Sequence, residues 1–383
     1  MMLTGVTQAT PTPQSRLQRS SRDATSVPAA IAAWLTDLLP GGADPHVVLH
    51  SGVDANGMSS ETLLLDVTWT HDGQQQVGRY VARVEPSAHD FPVFPRYALA
   101  DQHEAMRLAG ELSAVPVPAA RWIEPTGEVL GTPFFLMDRV EGRVPPDVLP
   151  YPFGDNWLFD ADLAQQRALQ DASVALVAAL HAIPEGADRF AFLDPARAGH
   201  AGPTALARNL ARLRAWYDFA VPDVGRSATV ERCLAWLERE LPTTQEAVLC
   251  WGDARIGNVI YEDFTPVAVL DWEMATVGPR ELDISWMLFA HQVFQGIAEV
   301  FELPGMPDFL GEDDVRAAYA AAGGGELGDL RWYHVFNAAQ WCVVFMRTGA
   351  RQSHFGEIER PDDVDALFHH KPIVDRLLAE VGA

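Results

Sequence analysis

The order of secondary-structure signals along the chain constrains its fold more than any other feature. Up to about residue 142 short apolar runs typical of strands surround a single helical segment, and beyond that point long helical segments dominate. This order is typical of an α+β protein whose sheet is antiparallel. A chain of 383 residues also exceeds what one hydrophobic core usually serves. We therefore expect a lead-in helix and a small sheet-containing lobe over residues 27–142, and a larger, mainly helical lobe over residues 143–383.

The spacing of apolar residues predicts the individual elements. In the first lobe it predicts helices over 27–39 and 101–112, the second with Asp101 as its N-cap, and strands around 47–50, 62–70, 78–84 and 132–137. The turn His71-Asp72-Gly73 predicts that the second and third strands form an antiparallel hairpin. In the second lobe the predicted helices cover residues 161–181, 205–219, 228–241, 281–294, 313–322, 330–348 and 362–381, with a strand-loop-strand stretch at 247–271.

Residues 1–26 differ in composition from the rest of the chain. They carry Arg16, Arg19 and Arg22 among Ser, Thr, Gln and Pro, with no acid before Asp23. Such a segment cannot bury enough apolar surface to offset its ordering entropy, so a disordered tail is predicted. A transit peptide is the alternative, whereas the apolar core of a secretory signal is missing.

Composition argues against several classes of function. Charges or prolines break every apolar run well short of the roughly 20 residues that a membrane helix needs, so no membrane partner is expected. A net charge of −24 opposes binding to nucleic acid and mildly favours a cationic or neutral substrate. Cys233, Cys250 and Cys342 lie far apart and at no metal-ligand spacing, which predicts neither a zinc site nor disulfides and fits a cytoplasmic setting. The oligomeric state is left open.

The basic residues are almost all arginine. Of 28 basic residues only Lys371 is a lysine, and it lies close to the C-terminus. Any chemistry that requires a cation in the body of the fold must therefore use arginine.

The stretch 248–272, VLCWGDARIGNVIYEDFTPVAVLDW, carries the most chemical information. Asp253 and Asn258 lie five apart on one loop, and Asp271 ends the following apolar strand, where a hairpin would bring all three together. Such oxygen ligands suit Mg²⁺, which usually takes one or two protein carboxylates together with substrate phosphates. Phosphoryl transfer needs an in-line hydroxyl, a base and cations. We expect Asp253 to be the base, and Asn258 and Asp271 to hold the metal.

The runs WGDARIGN, VLDWE and GPRELDISW resemble the aminoglycoside phosphotransferase and choline kinase-like superfamily. The resemblance implies a bilobal protein-kinase-like fold, ATP and Mg²⁺ as cofactors, and the roles already expected of Asp253, Asn258 and Asp271. Trp251 departs from the His that many members carry there, a change that bears on loop packing rather than on catalysis. The Trp form is similar to the kinase-like domains found beside acyl-CoA dehydrogenases.

The same resemblance assigns two cations to the phosphates. Arg255 follows the expected base by two residues, where protein kinases place a lysine that contacts the transferred phosphate. On the third strand Arg83 replaces the lysine that most members carry, and Glu104 on the following helix is its expected acidic partner. Arginine binds phosphate oxygens in a bidentate manner, so both replacements are chemically sensible.

Two further segments are expected to contact the nucleotide. Residues 51–60, between the first two strands, offer glycines and hydroxyls for the triphosphate, although Met58 in the position of a lysine excludes a P-loop. The resemblance places the hinge between the lobes at residues 134–142, where backbone groups receive adenine. The candidate nucleotide ligands in these segments are Gly52, Gly57, Ser59, Ser60, Met137, Arg139 and Val140.

Other acidic and basic side chains near these motifs are interpreted as structural. Asp283 is expected to stabilise amides at the start of a helix, and His181 to be a packed histidine. Glu273 either reaches the outer shell of the metal or solvates its loop, and it is left out of the catalytic set.

The acceptor and the nucleotide base are left open by the sequence. A small molecule with a hydroxyl group is expected: an amino sugar of the aminoglycoside kind, which the acidity favours slightly, or a hydroxyacyl thioester or other metabolite, which the subgroup suggests. A nucleotide-binding regulatory module without catalysis is the alternative from another class, and the intact base and metal ligands argue against it. Protein phosphorylation is disfavoured because no Asp-Phe-Gly to Ala-Pro-Glu segment follows Asp271.

Overall fold

The N-terminal lobe is built on a five-stranded antiparallel sheet. The computed structural model describes residues 21–50, 60–147, 149–243 and 246–383. The strands are β1 (His46–His50), β2 (Glu61–His71), β3 (Gln74–Val84), β4 (Ala120–Glu124) and β5 (Phe134–Asp138), accompanied by helices α1 (Val27–Thr36) and α2 (Leu99–Leu112). Their order across the sheet is β1-β2-β3-β5-β4.

The alternation of side chains along β3 decides which groups face the cleft. Tyr80, Ala82 and Val84 point to one face of the sheet, where they share a core with α1. Successive side chains of a strand point to opposite faces. Arg83 therefore lies on the other face, toward the C-terminal lobe.

The β2–β3 hairpin confirms the turn expected from the sequence. Asp72 and Gly73 have φ angles of 50° and 73°, as a tight two-residue turn requires. The strands pair from Glu61 opposite Val84 to the turn itself, and both are longer than expected. The strand residues outside the predicted ranges, mainly those next to the turn, lack apolar alternation, so the sequence pattern did not reveal them.

Helix α2 begins two residues before the expected N-cap. Ala98 occupies the N-cap position with a φ of 47° and offers no side-chain cap, so the prediction for Asp101 is wrong. Asp101 lies in the first turn and instead pairs with Arg96 at 3.2 Å. With this start the helix buries Gln102 and Met106 on the face toward the cleft.

The C-terminal lobe is mainly helical, as expected. Its helices are α3 (Leu163–His181), α4 (Gly186–Arg189), α5 (Ala205–Val224), α6 (Ala228–Arg239), α7 (Glu281–Val300), α8 (Glu312–Ala321), α9 (Arg331–His354) and α10 (Lys371–Glu380). Between α6 and α7 lie the short strands β6 (Val248–Cys250), β7 (Val259–Glu262), β8 (Thr265–Val269) and β9 (Thr276–Gly278), which pair as β6 with β9 and β7 with β8. Within the described ranges, every helix is too short or too polar to traverse a lipid bilayer.

The C-terminal segment corrects the helix expected over 362–381. Asp363 accepts a hydrogen bond from the Asp365 amide and begins a short 3-10 turn, Val364–Leu367. Helix α10 starts only at Lys371, directly before Pro372. Proline has no N–H to donate and is tolerated in the first turn of a helix, so it marks a helix start here.

The chain passes between the lobes through Gly142 and Arg143. Arg143 and Tyr261 exchange two backbone hydrogen bonds of 2.9 and 2.8 Å, which dock the connection on β7. Gly142 has a φ of 148°, and a Cβ there would lie 2.4 Å from Cγ2 of Ile260. This close approach requires glycine.

Candidate active site

Strand β6 leads directly into the loop that carries Asp253. Asp283, fully buried in the first turn of α7, accepts hydrogen bonds from the amides of Trp251 at 2.7 Å and Gly252 at 2.8 Å. His181 Nε2 lies 3.1 Å from the same carboxylate. Asp283 therefore stabilises amides as expected, but they belong to the loop rather than to its own helix. These bonds fix the loop relative to α7.

Gly252 allows this loop to pass close to the segment that follows β8. Its φ is 90°, and a Cβ at this position would lie 2.1 Å from the carbonyl oxygen of Met274. Only glycine meets both conditions without a shift of the backbone.

Trp251 connects the loop to the end of β8. Its fully buried indole donates from Nε1 to the carbonyl oxygen of Leu270 at 2.9 Å and lies 3.2 Å from that of Asp271. The departure from His at this position is thus compatible with a packed loop. The indole holds the segment of Asp253 against the segment of Asp271.

The carboxylate of Asp253 accepts hydrogen bonds from three side chains. Trp286 Nε1 donates to Oδ1 at 2.7 Å, and Asn258 Nδ2 donates to Oδ2 at 2.6 Å. Arg255 Nε lies 3.1 and 3.3 Å from the two oxygens. The carboxylate is therefore held in one orientation at the edge of the cleft.

Asn258 lies next to Asp253 and to the strand end that carries Asp271. It ends a short 3-10 turn, Ile256–Asn258, and its backbone carbonyl accepts the amide of Leu270 at 2.9 Å. The same turn directs its Nδ2 to Asp253, so its Oδ1 remains for another partner. The three residues that the sequence grouped are thus brought together.

Asp271 has the left-handed backbone conformation, with a φ of 57°. Asp and Asn adopt this region several-fold more readily than other side chains. Its Oδ1 accepts from Arg83 Nη2 at 3.0 Å, and Glu273 Oε2 lies 3.2 Å from the same nitrogen. Burial would lower the pKa of Arg83, but Asp271 and Glu273 raise it above its ordinary value. Arg83 therefore keeps its positive charge.

The expected pair between Arg83 and Glu104 is wrong. Glu104 binds Arg107, three residues further along α2, at 2.6 Å, and its side chain is 41% exposed against 10% for Arg83. The cleft-facing side of α2 carries Gln102 instead. Side chains two positions apart on a helix point about 200° apart, so Glu104 faces away from the cleft.

Arg255 bridges the expected base to a loop that follows the hinge. It forms ion pairs with Asp253 and with Asp147. Burial would lower the pKa of Arg255, but these two carboxylates raise it. Like Arg83, this side chain keeps its charge and is held within the cleft.

Arg83, Asp147, Arg255, Asn258 and Asp271 line one cleft of about 360 Å³ between the lobes, and Asp253 lies next to it, bonded to Arg255 and Asn258. The wall from the N-terminal lobe carries Arg83, Gln102 and the hinge, and the wall from the C-terminal lobe carries Arg255, Asn258 and Asp271. The hinge residues expected to bind nucleotide, Met137, Arg139 and Val140, all contribute to it.

The loop expected over the triphosphate is only partly described. Gly52, Gly57 and Ser59 lie outside the described residues. Ser60 is buried at the start of β2, and its hydroxyl has no hydrogen-bond partner within the described part of the chain.

The chemistry of the two expected metal ligands fits a hard divalent cation. Asn258 uses its amide nitrogen for Asp253, and Asp271 uses Oδ1 for Arg83. Among the described residues no hydrogen bond is made to Asn258 Oδ1 or Asp271 Oδ2. Two oxygens of this kind in a cleft match the ligands that Mg²⁺ takes from proteins.

A second group of potential metal ligands, His181, Cys250 and Asp283, lies behind the loop and is completely buried. Its atoms are already committed: the Asp283 oxygens bind two amides, and the Cys250 thiol lies 3.3 Å from the Pro279 carbonyl oxygen. Burial raises the pKa of Cys250 well above its ordinary value, which disfavours the thiolate that metals bind. This cluster supports the loop.

Several residues at or next to the cleft were missed by sequence reasoning. Glu273 and Asp147 contact the two cations, Trp286 contacts Asp253, and Gln102 replaces Glu104 at the cleft. Only Glu273, two residues after Asp271, carried a signal in the sequence. The others come from a loop or from helix faces whose orientation requires the tertiary structure.

A sequence profile of the phosphotransferase enzyme family matches residues 64–333, which is more than half of the chain. The chain belongs to this family. Membership confirms the expected enzyme class, that of a phosphotransferase.

Among curated proteins, this phosphotransferase is similar to acyl-CoA dehydrogenase family proteins. It is 24% identical over 335 residues to the Arabidopsis thaliana protein named "Probable acyl-CoA dehydrogenase IBR3", a match that covers 81% of this chain and 38% of that protein. The chain thus spans less than two fifths of the relative's length. The predicted likeness to kinase-like domains beside acyl-CoA dehydrogenases is confirmed.

Solved structures confirm the bilobal kinase-like fold. A candidate aminoglycoside phosphotransferase of Ralstonia eutropha superposes with a TM-score of 0.62 at 20% identity, covering 92% of this chain and 97% of that chain. Ethanolamine kinase of Plasmodium vivax superposes with a TM-score of 0.54 at 12% identity, covering 90% and 87%. At these identities the likeness concerns the fold alone.

Proposed function

We propose that this phosphotransferase moves the γ-phosphoryl group of ATP, in the presence of Mg²⁺, to a hydroxyl of a small molecule. The observation that carries the proposal is the convergence of Asn258, Asp271 and two arginines in the cleft that also contains the hinge, with Asp253 bonded to Arg255 and Asn258 beside it. Phosphoryl transfer depends mainly on positioning and on neutralising charge, and these residues supply both.

The hinge offers a backbone donor for adenine. The amides of Asp138 and Arg139 donate to Ala119 and Arg79 at 3.0 Å each. The next amide, that of Val140, makes no hydrogen bond with any described residue and lines the cleft. A ring nitrogen of adenine is an acceptor that fits it. Gln102 and Met137 complete this side of the pocket.

Asp253 acts as the base in this proposal. The acceptor hydroxyl oxygen attacks the γ-phosphorus, its proton passes to the Asp253 carboxylate, and the bond from the γ-phosphorus to the bridging oxygen breaks. Arg255 is held by Asp147 beside this carboxylate, from where its guanidinium can contact the transferred group. Arg83 binds the other phosphates with Glu273 beside it.

Asn258 and Asp271 would hold the magnesium ion through the two oxygens left without hydrogen bonds. Bound there, Mg²⁺ supplies positive charge to the nucleotide phosphates. The residues themselves set its place, since Trp251 links their two segments.

Two acceptor classes remain candidates. The acidity of the chain favours a cationic amino sugar, whereas the curated relatives, which are named as acyl-CoA dehydrogenases, favour a hydroxyacyl thioester. Fold does not decide between them. A panel of both classes with γ-labelled ATP and GTP identifies the acceptor and the nucleotide together, with phosphate incorporation read by mass spectrometry.

Two substitutions test the assignment of Asp253 and Asp271. Asp253→Asn removes the base and is expected to reduce kcat by about a thousandfold while nucleotide affinity stays close to wild type. Asp271→Asn tolerates the left-handed backbone but loses the charge, so binding of nucleotide should lose its dependence on Mg²⁺. Both effects are measured by steady-state kinetics and calorimetric titration. Equal and mild effects from both changes would contradict the assignment and favour a binding module.

A further inference from the structure

Helix α7 holds the loop of Asp253 through two side chains one turn apart. Asp283 and Trp286 are three residues apart and so lie on one face of the helix. Asp283 binds the amides of Trp251 and Gly252, and Trp286 donates its indole N–H to Oδ1 of Asp253 at 2.7 Å. One helix face therefore fixes both the backbone before Asp253 and its carboxylate.

We propose that Trp286 is a positioning residue that fixes the orientation of the Asp253 carboxylate for proton transfer, an inference that rests on the proposed function. Trp286 is 3% exposed and is not among the residues that line the cleft, and it contacts the site through its hydrogen bond to Asp253. It acts on the reaction only through Asp253.

The hydrogen bonds of Asp253 explain why such a residue is needed. The indole binds Oδ1 and the Asn258 amide binds Oδ2, while Arg255 is shared between the two oxygens. Arg255 also contacts the phosphoryl group in the proposed reaction, which weakens its shared bonds to Asp253 and leaves lone pairs for the acceptor hydroxyl. The indole and the amide are then the two donors that keep the carboxylate in place.

An indole suits this task chemically. It is a donor only, it does not titrate, and it cannot take the proton from the carboxylate. Its ring is rigid and packs on Trp341, with ring centroids 5.2 Å apart. The bond to Asp253 therefore persists through the reaction without competing for its proton.

Trp341 provides a matched control within the same aromatic cluster. It is also buried, at 8% exposure, but its Nε1 makes no hydrogen bond within the described part of the chain. Trp286→Phe and Trp341→Phe thus remove the same atoms from neighbouring sites. Only the first removes a donor from Asp253.

The kinetic test separates positioning from packing. Trp286→Phe is expected to lower kcat about tenfold with nucleotide and acceptor KM unchanged, whereas Trp341→Phe keeps kcat near wild type. Thermal unfolding reports the packing loss, which should be similar in both. Equal kcat values in the two variants, or a change in KM alone for Trp286→Phe, would overturn the inference.

An NMR test works even if no acceptor is phosphorylated. The chain has eleven tryptophans, and the two Phe variants assign the indole N–H signals of Trp286 and Trp341. Asp253→Ala should move the Trp286 signal upfield, because it loses a charged acceptor, and leave that of Trp341 in place. An unmoved Trp286 signal would refute the contact, whereas an inactive wild-type protein with a moved signal would refute the proposed function alone.

Discussion

At the residue scale, Arg83 shows how a cation can be kept in a cleft without the partner expected for it. Its side chain is 10% exposed, and both carboxylates around it come from the C-terminal lobe. A guanidinium with several donors can bind two carboxylates at once, as a lysine point charge does less well. Arginine in place of lysine at position 83 thus goes with a different acidic partner, Glu273 instead of the expected Glu104 on α2.

This arrangement predicts different outcomes for two glutamates. Glu273→Gln removes one of the two carboxylates that pair with Arg83, so nucleotide phosphates displace fewer competing anions and nucleotide Kd should fall about tenfold. Glu104→Gln should leave Kd unchanged because, among the residues that the structure describes, Glu104 binds Arg107 and no other side chain. Calorimetric titration with Mg²⁺-nucleotide measures both. A rise in Kd for Glu104→Gln alone would restore the pairing expected from the sequence.

The identities of the central residues could be predicted from the sequence, but several of their partners could not. Asp253, Asn258 and Asp271 share one short segment, so their spacing indicated a common site. The partners Asp147 and Trp286 come from 106 residues before and 33 residues after Asp253, respectively, and nothing local marks them. The family resemblance suggested Glu104, and the sequence did not show that this side chain faces away from the cleft, because the start of the helix was not visible.

At the element scale, the loop after β6 depends on glycine for its close approach to the chain after β8. Gly252 combines a φ of 90° with a backbone oxygen 2.1 Å from any Cβ. Gly154 has a similar φ of 84° but open space around it. The two positions therefore separate backbone strain from steric conflict.

Alanine at each glycine measures these two costs. Gly154→Ala is expected to lower the free energy of unfolding by about 1 kcal/mol through the left-handed conformation alone. Gly252→Ala adds the conflict with Met274 and should cost about 3 kcal/mol or more, with loss of activity. Urea denaturation followed by circular dichroism gives both values. Similar losses from both variants would show that the loop can move aside.

Most elements could be predicted from apolar periodicity, and the misses have physical causes. The hairpin turn and the long helices carried strong local signals. The start of α2 at Leu99 and the break before α10 did not. The N-cap of α2, Ala98, has no capping side chain, and Pro372 can either break a helix or stand in its first turn.

At the scale of the whole molecule, buried histidines couple stability to pH. His370 is 2% exposed in an aromatic cluster that includes Trp341 and Phe345, and burial, aided by His369, lowers its pKa to about 3. Burial also lowers the pKa of His291 to about 4. An unfolded histidine binds a proton below about pH 6.5. The unfolded state therefore binds more protons between these values, and stability falls as the pH decreases through this window.

Replacing His370 with Phe should flatten this dependence. Between pH 6.5 and 4.5 the wild-type protein is expected to lose about 2 kcal/mol more than His370→Phe, since the variant has no proton to exclude at this site. Above pH 7 the two stability curves should run parallel. Denaturant midpoints measured across the range check this, and identical slopes below pH 6.5 would show that other groups control acid unfolding.

The bilobal fold as a whole followed from the sequence, since the change from strands to helices and the motif after β6 are both strong signals. The contacts between the lobes did not follow, because they join residues far apart in the chain. Arg83 is the clearest case: it is separated by 188 positions from Asp271.

That contact has a consequence for how a ligand arrives. Arg83, which is proposed to bind the phosphates, already pairs with Asp271 and Glu273 of the C-terminal lobe. These ion pairs connect the two lobes across the cleft. Nucleotide binding then exchanges these carboxylates for phosphates on one guanidinium. Moderate salt weakens the ion pairs, so it is expected to raise the association rate of the nucleotide while it lowers the final affinity.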